Sequence, residues 1–144
     1  MKIAYSAHPS GVVLVTDAVG AMGLPPGEYK IGASKIRKID DYRVEVIDNG
    51  RLAGSVVTIS ECVRNFKKFT DCSIVEAVEA ATKHPAELLG IEDRKGTLRC
   101  GADADLIFLD DDLNVIRCFI GGEEVDTGAH KIMEEPMSVV ELEF

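Results

Sequence analysis

Asp17 is the residue whose setting in the sequence best suits chemistry. It closes an apolar, mostly β-branched run, Val12-Val13-Leu14-Val15, with Thr16 between. It opens a loop punctuated by Gly20, Gly23, Pro25, Pro26 and Gly27. A carboxylate at the C-terminal end of an apolar parallel strand stands where barrel enzymes keep their catalytic groups. There it can take a proton from water and pass it to a leaving group, or help to hold a metal. The alternative is that Asp17 caps its own loop by accepting backbone N–H bonds from Ala18 to Gly20. A second stretch, Leu52-Ala53-Gly54-Ser55, offers small residues ahead of a helix. Small residues let a ligand approach the backbone, and free N–H groups there bind oxygen atoms. The alternative is a plain tight turn into the helix cap.

No metal-ligand set is read in this chain. His8 and His84 each precede a proline, His130 lies near the C-terminus, and no HxH or HExxH spacing occurs. His84 reads as an N-cap-like residue and His8 as a loop residue. Cys62, Cys72, Cys100 and Cys118 form no CxxC pair and fit no zinc template. They are expected to be reduced and mostly buried, as in a cytoplasmic protein.

The elements that must position these residues follow from pattern. Residues 2–8 read as a short helix or loop, and 11–16 as a strand apolar on both faces, of the kind that sits in a covered parallel sheet. Residues 20–27 form a loop. Tyr29–Ile31 and Tyr42–Ile47 read as short strands, and Asp48-Asn49-Gly50 as a hairpin-type turn. Thr58 with Glu61, and Ser73 with Glu76, have capping-box spacing. They open helices of about 59–69 and 74–82, the first with Ile59, Cys62, Val63, Phe66 and Phe69 on one stripe. His84-Pro85 starts a third short helix that ends at Gly90. Beyond Gly96 the reading is a β-meander: Thr97–Arg99, Asp105–Leu109, Val115–Ile120 and Glu123–Val125, with Asp110-Asp111-Asp112 and Gly121-Gly122 as turns. Residues 127–144 read as an acidic tail with a last strand at Val139–Leu142. One covered strand followed by helices is an incomplete α/β unit, since parallel strands need neighbours.

The totals exclude several classes. With 144 residues, 46% hydrophobic and 28% charged, the chain is sized and composed for one ordinary globular domain. A net charge of −9 repels phosphate backbones, so nucleic-acid binding is not expected. No apolar run approaches the ~18–20 residues of a membrane span. The first residues lack the basic-then-apolar order of a signal peptide.

The motif "LVTDAVGAMGLPPGEYKIG" resembles the region around the last barrel strand of N-acetylglucosamine-6-phosphate deacetylases, and "LAGSVVTISECVRN" their following loop and helix. "EAATKHPAELLGIEDRKGTLRCGADADLIFLDDDLNV" is similar to the closing segment of the wider amidohydrolase superfamily. The resemblance covers about residues 2–125. It implies an α/β fold, the C-terminal fragment of a (β/α)8 TIM-type barrel (1–95) followed by strands of a small β-sandwich (96–126) and a tail (127–144). It implies metal-dependent hydrolysis of N-acetylglucosamine 6-phosphate to glucosamine 6-phosphate and acetate. A divalent metal, commonly zinc, would serve the complete enzyme through ligands outside this chain. By resemblance Asp17 is the catalytic acid–base group, and Leu52, Ala53 and Gly54 line the amino-sugar site. The complete enzyme is expected to be a homodimer, and the chain alone inactive. Another amidohydrolase activity, or a non-catalytic short form that associates with full-length subunits, remains as the alternative.

Overall fold

The computed structural model describes residues 1–126 and 141–142. In chain order the elements are α1 (Lys2–Ala7), a 3-10 turn (Pro9–Gly11), β1 (Gly27–Ile31), β2 (Ser34–Lys38), β3 (Val44–Val46), β4 (Leu52–Gly54), α2 (Ile59–Thr70), α3 (Ile74–Glu79), α4 (Lys83–Leu89), β5 (Leu106–Leu109), β6 (Val115–Ile120), β7 (Glu123–Val125) and β8 (Glu141–Leu142). This is an α/β protein with antiparallel sheets. The chain divides into two compact units, one built from residues 1–15 and 59–126, the other from 16–58 with 141–142. Among the described residues, no helix is long and apolar enough to cross a membrane.

In the first unit, helical spacing sets the core. Val63, Phe66 and Thr70 are the buried residues of α2. Phe66 and Val63 cluster with Cys72, Ala77, Ala80 and Leu113. Tyr5 of α1 meets the Phe66 ring edge-on at 5.5 Å. The capping box at Ser73 is complete: its hydroxyl accepts from the Glu76 N–H, and the Glu76 carboxylate accepts from the Ser73 N–H. Gly90 ends α4 in the left-handed conformation, φ 67°. Strands β5, β6 and β7 form the expected antiparallel meander. Asp110 Oδ1 accepts the N–H groups of Asp112 and Asn114, closing the first turn.

Four expectations for this unit are corrected. Val12–Val15 does not form a strand. Its backbone groups bond to helical neighbours: the Leu14 N–H donates to the Ala80 carbonyl, and His84 Nδ1 donates to the Val12 carbonyl at 2.8 Å. β-Branched residues favour extended backbone, but a strand needs a paired neighbour, and among the described residues none pairs with this run. Val15 is accordingly 71% exposed rather than covered. His84 lies within α4, buried, instead of at its cap. Thr97–Arg99 is not a strand either. The cysteines are free, yet only Cys72 is buried; Cys62 and Cys118 are half-buried and Cys100 is exposed.

The link between α1 and α3 is polar. The Tyr5 hydroxyl donates to Glu76 Oε1 at 2.7 Å. That bond, followed by those from Ser73, holds the Glu76 carboxyl down from the usual 4.5 to about 2. The same bond pushes the Tyr5 phenol up from 10.0 to about 12. The carboxylate's contribution to stability is full above the ordinary value and lost as pH falls towards 2. The phenol's contribution is full below 10 and lost as pH rises towards 12. Tyr5→Phe is therefore expected to lower the urea midpoint by a constant amount between pH 5 and 9, with the difference shrinking below pH 4, as urea titrations across pH will show.

The second unit is a sheet in the order β4-β3-β2-β1-β8, antiparallel except for the β1–β8 pair. Asp48-Asn49-Gly50 makes the expected turn, here between β3 and β4. The Gly50 N–H donates to the Val46 carbonyl, and Asn49 Oδ1 accepts the Arg51 N–H. Ala21, Ile36, Val44 and Val56 form the core. Two strands escaped the pattern reading, β2 and β4. The 42–47 strand is confined to Val44–Val46. Of the acidic tail, only 141–142 lies within the described residues.

Candidate active site

Asp17, Leu52, Ala53 and Gly54 all belong to the second unit, and the backbone brings them together. Ala18 and Ser55 form a parallel bridge. The Val19 N–H donates to the Ser55 carbonyl at 2.8 Å, and the Ser55 N–H reaches the Asp17 carbonyl at 3.4 Å. Leu52–Gly54 is thus an edge strand, β4, paired with β3 through Gly54 opposite Val44 and Leu52 opposite Glu45. The alternative of a tight turn there is corrected: Leu52–Gly54 is extended backbone paired with β3, not a turn.

Gly54 has φ 139°, a conformation L-residues rarely take, and a Cβ built on it would stand 2.5 Å from Val19 Cγ1. The strand can approach the segment after Asp17 this closely only because no side chain lies between. Leu52 is exposed, while Ala53 and Gly54 are half-buried.

Asp17 itself has φ 47°. Aspartate tolerates this left-handed region better than most residues. Its side chain is exposed, and among the described residues it makes no hydrogen bond or ion pair. The alternative of a loop cap is not what the backbone does. The Ala18 N–H goes to Thr16 Oγ1 and the Val19 N–H to Ser55. Asp17 is left as an exposed carboxylate.

The Gly/Pro loop that follows is tied at its far end. Lys38 Nζ donates to the Leu24 carbonyl at 2.6 Å, and the Tyr29 hydroxyl donates to the Pro25 carbonyl at 2.6 Å. Neither residue was singled out from sequence. The usable signal was the alternation Ser34, Ile36, Lys38 in β2, which places Lys38 on the same face as Ile36.

Among the described residues no three His, Cys, Asp or Glu side chains converge as a metal site would require. Asp17 is a single carboxylate, and the residues described here do not by themselves fit a divalent ion.

Residues 5–125 match the Amidohydrolase family. The chain belongs to that family. This amidohydrolase is 50% identical to the N-acetylglucosamine-6-phosphate deacetylase of Danio rerio over 125 residues, which is 87% of this chain and 31% of that protein. A solved N-acetylglucosamine-6-phosphate deacetylase from Thermotoga maritima superposes with a TM-score of 0.76 at 38% identity, over 85% of this chain and 33% of that one. A mutant of the Mycobacterium smegmatis deacetylase in complex with N-acetyl-D-glucosamine-6-phosphate gives a TM-score of 0.75 at 30% identity, over 85% of this chain. The amidohydrolase chain spans about a third of the length of the relatives it matches. Those relatives carry the activity that the loop motifs led one to expect.

Proposed function

We propose that this amidohydrolase chain supplies part of the active site of a deacetylase that hydrolyses N-acetylglucosamine 6-phosphate to glucosamine 6-phosphate and acetate. The observation that carries the reading is the 50% identity to the Danio rerio enzyme over 125 residues. In this reading the chain is the closing part of a (β/α)8 barrel (1–95) with strands of a small β-sandwich (96–126) and a tail (127–144). The complete enzyme is a cytoplasmic homodimer.

Asp17 takes a proton from the attacking water as its oxygen bonds to the amide carbon, then delivers that proton to the amine nitrogen as the C–N bond breaks. The exposed, unpartnered carboxylate supports this role. Leu52, Ala53 and Gly54 border the amino sugar, and the bridge between positions 18 and 55, which sets this stretch beside Asp17, supports that placement. The family's deacetylases are generally metal-dependent. A zinc or similar ion in the complete enzyme would draw on ligands other than a cluster among the described residues.

The test is a chimera in which residues 5–125 replace the matching segment of the Danio rerio enzyme. It is expected to release acetate and glucosamine 6-phosphate in equal amounts from N-acetylglucosamine 6-phosphate. A folded, metal-loaded chimera that releases none, while the parent does, would overturn the reading. The 144-residue chain alone is expected to release no acetate, because a single carboxylate lacks the electrophilic partner that amide hydrolysis needs. Metal-dependent turnover by the pure chain would contradict this.

A further inference from the structure

Lys38 sits where a lysine is costly. It lies at the end of β2 on the face shared with Ile36, opposite Gly27 of β1 and Val44 of β3, and only 3% of it is exposed. Lysines are almost never fully buried unless paired, because the ammonium loses its water. A methionine would cover the same sheet face without that penalty. What the ammonium has that methionine lacks is a donor, and it spends two bonds: one on Asp41 Oδ1 at 3.0 Å, the other on the Leu24 carbonyl at 2.6 Å. Asp41 is largely exposed and could be solvated by water alone. The bond that needs a buried donor is the one to Leu24.

The next carbonyl is held in the same way. Tyr29 is two residues from Gly27 on β1 and opposite Ile36, so it shares the face that carries Lys38. Its hydroxyl donates to the Pro25 carbonyl. Two side chains from one sheet face therefore grip two consecutive carbonyls. The reason lies in the loop's own chemistry. Pro25 and Pro26 have no N–H, so this stretch has carbonyls to offer and no donors. Only donors brought from outside can fix it.

At its other end the loop is fixed by the Val19 N–H on Ser55 and the bare Gly54 against Val19. Between the ties, the Met22 and Leu24 N–H groups turn back onto the carbonyls of Val19 and Ala21. The segment that begins with Asp17 is thus anchored at both ends by groups of the same sheet.

We propose that Lys38 and Tyr29 are positioning residues that hold the 18–26 loop in the geometry in which the amino sugar meets Asp17. This rests on the deacetylase reading for the identity of the ligand, but not for the clamp itself. Neither side chain touches the reacting atoms. The loss on removing them falls on substrate binding, not on proton transfer.

The test has two readouts. In the 144-residue chain, Lys38→Met is expected to speed amide hydrogen exchange across residues 18–26 by roughly tenfold or more, with 59–70 unchanged. In the chimera the same substitution is expected to raise KM about tenfold while kcat stays within about threefold. Tyr29→Phe, which removes one hydroxyl, is expected to act in the same direction by a few-fold. It serves as the test if Lys38→Met does not fold. Asp41→Asn, which keeps the bond to Leu24, is expected to change neither readout. Unchanged exchange in 18–26 overturns the clamp. Faster exchange with an unchanged KM, or a fall in kcat alone, overturns its role in substrate positioning. Faster exchange in a chain whose unsubstituted chimera has no deacetylase activity leaves the clamp standing and removes the deacetylase reading.

Discussion

Asp17→Asn is expected to lower kcat for deacetylation in the chimera by about 100- to 10,000-fold, the range for loss of a positioned acid–base group. Asparagine is nearly the same size and shares aspartate's tolerance of positive φ, so the backbone at φ 47° is preserved. The Ser55 N–H bonds to the backbone carbonyl of residue 17, which the substitution does not touch. What disappears is the carboxylate oxygen assigned to take up the proton and return it. The discriminating measurement is kcat beside the urea midpoint: activity falls by orders of magnitude while the midpoint stays close to its original value. A variant that keeps more than about a tenth of the activity would assign proton transfer to another group.

Gly54→Ala is expected to have the largest effect on the stability of the second unit, about 2–4 kcal/mol, from two independent costs. The first is backbone strain, because φ 139° lies in a region that alanine rarely adopts. The second is a collision of the new Cβ with Val19 Cγ1, 2.5 Å away. A valine methyl is short and stiff, so it cannot swing aside as the end of a long side chain would. Relief requires β4 or the 17–19 segment to move, breaking the Ala18–Ser55 bridge. Urea denaturation of the chain measures the loss. Alanine at a freely exposed turn glycine such as Gly32, where a Cβ meets no atom within 4 Å, separates the two costs, since it carries strain alone.

The parts of the fold that were legible in the sequence are those written by local chemistry. Ser73 and Glu76 announce their helix because both capping bonds form between residues three apart. Gly90 announces its end, and Val115–Ile120 reads as a strand because it is long and bounded by turn residues. The failures share a cause. Val12–Val15 has a strand's composition, but pairing is a property of two segments, and its backbone bonds went to Ala80 and His84. In β2, "SKIRK" hides its period because the inward position 38 is a lysine, and a buried lysine defeats a rule based on polarity. At the candidate site, residue type marks Asp17 and Leu52–Gly54 only as candidates beside a structural alternative for each, and their proposed roles come from the family resemblance. Their meeting through Ser55 depends on a bridge between positions 18 and 55, and no local pattern records it.

That bridge also bears on how the chain reaches its fold. The first unit is assembled from residues 1–15 and 59–126, so its two pieces must find each other across an intervening segment of roughly forty residues. As an unstructured chain, that segment would impose the full entropy of closing a long loop. Once Ala18 and Ser55 are paired, the connection shrinks to the few residues outside the bridge, and the closure cost falls by about 1.5 kcal/mol on logarithmic scaling with length. The antiparallel hairpins of the second unit are local and quick to form. They can fold first, and in doing so they act as a splint that brings the ends of the discontinuous unit within reach. A substitution that opens the bridge is therefore a kinetic lesion as well as a local one, slowing the association of segments that it never touches.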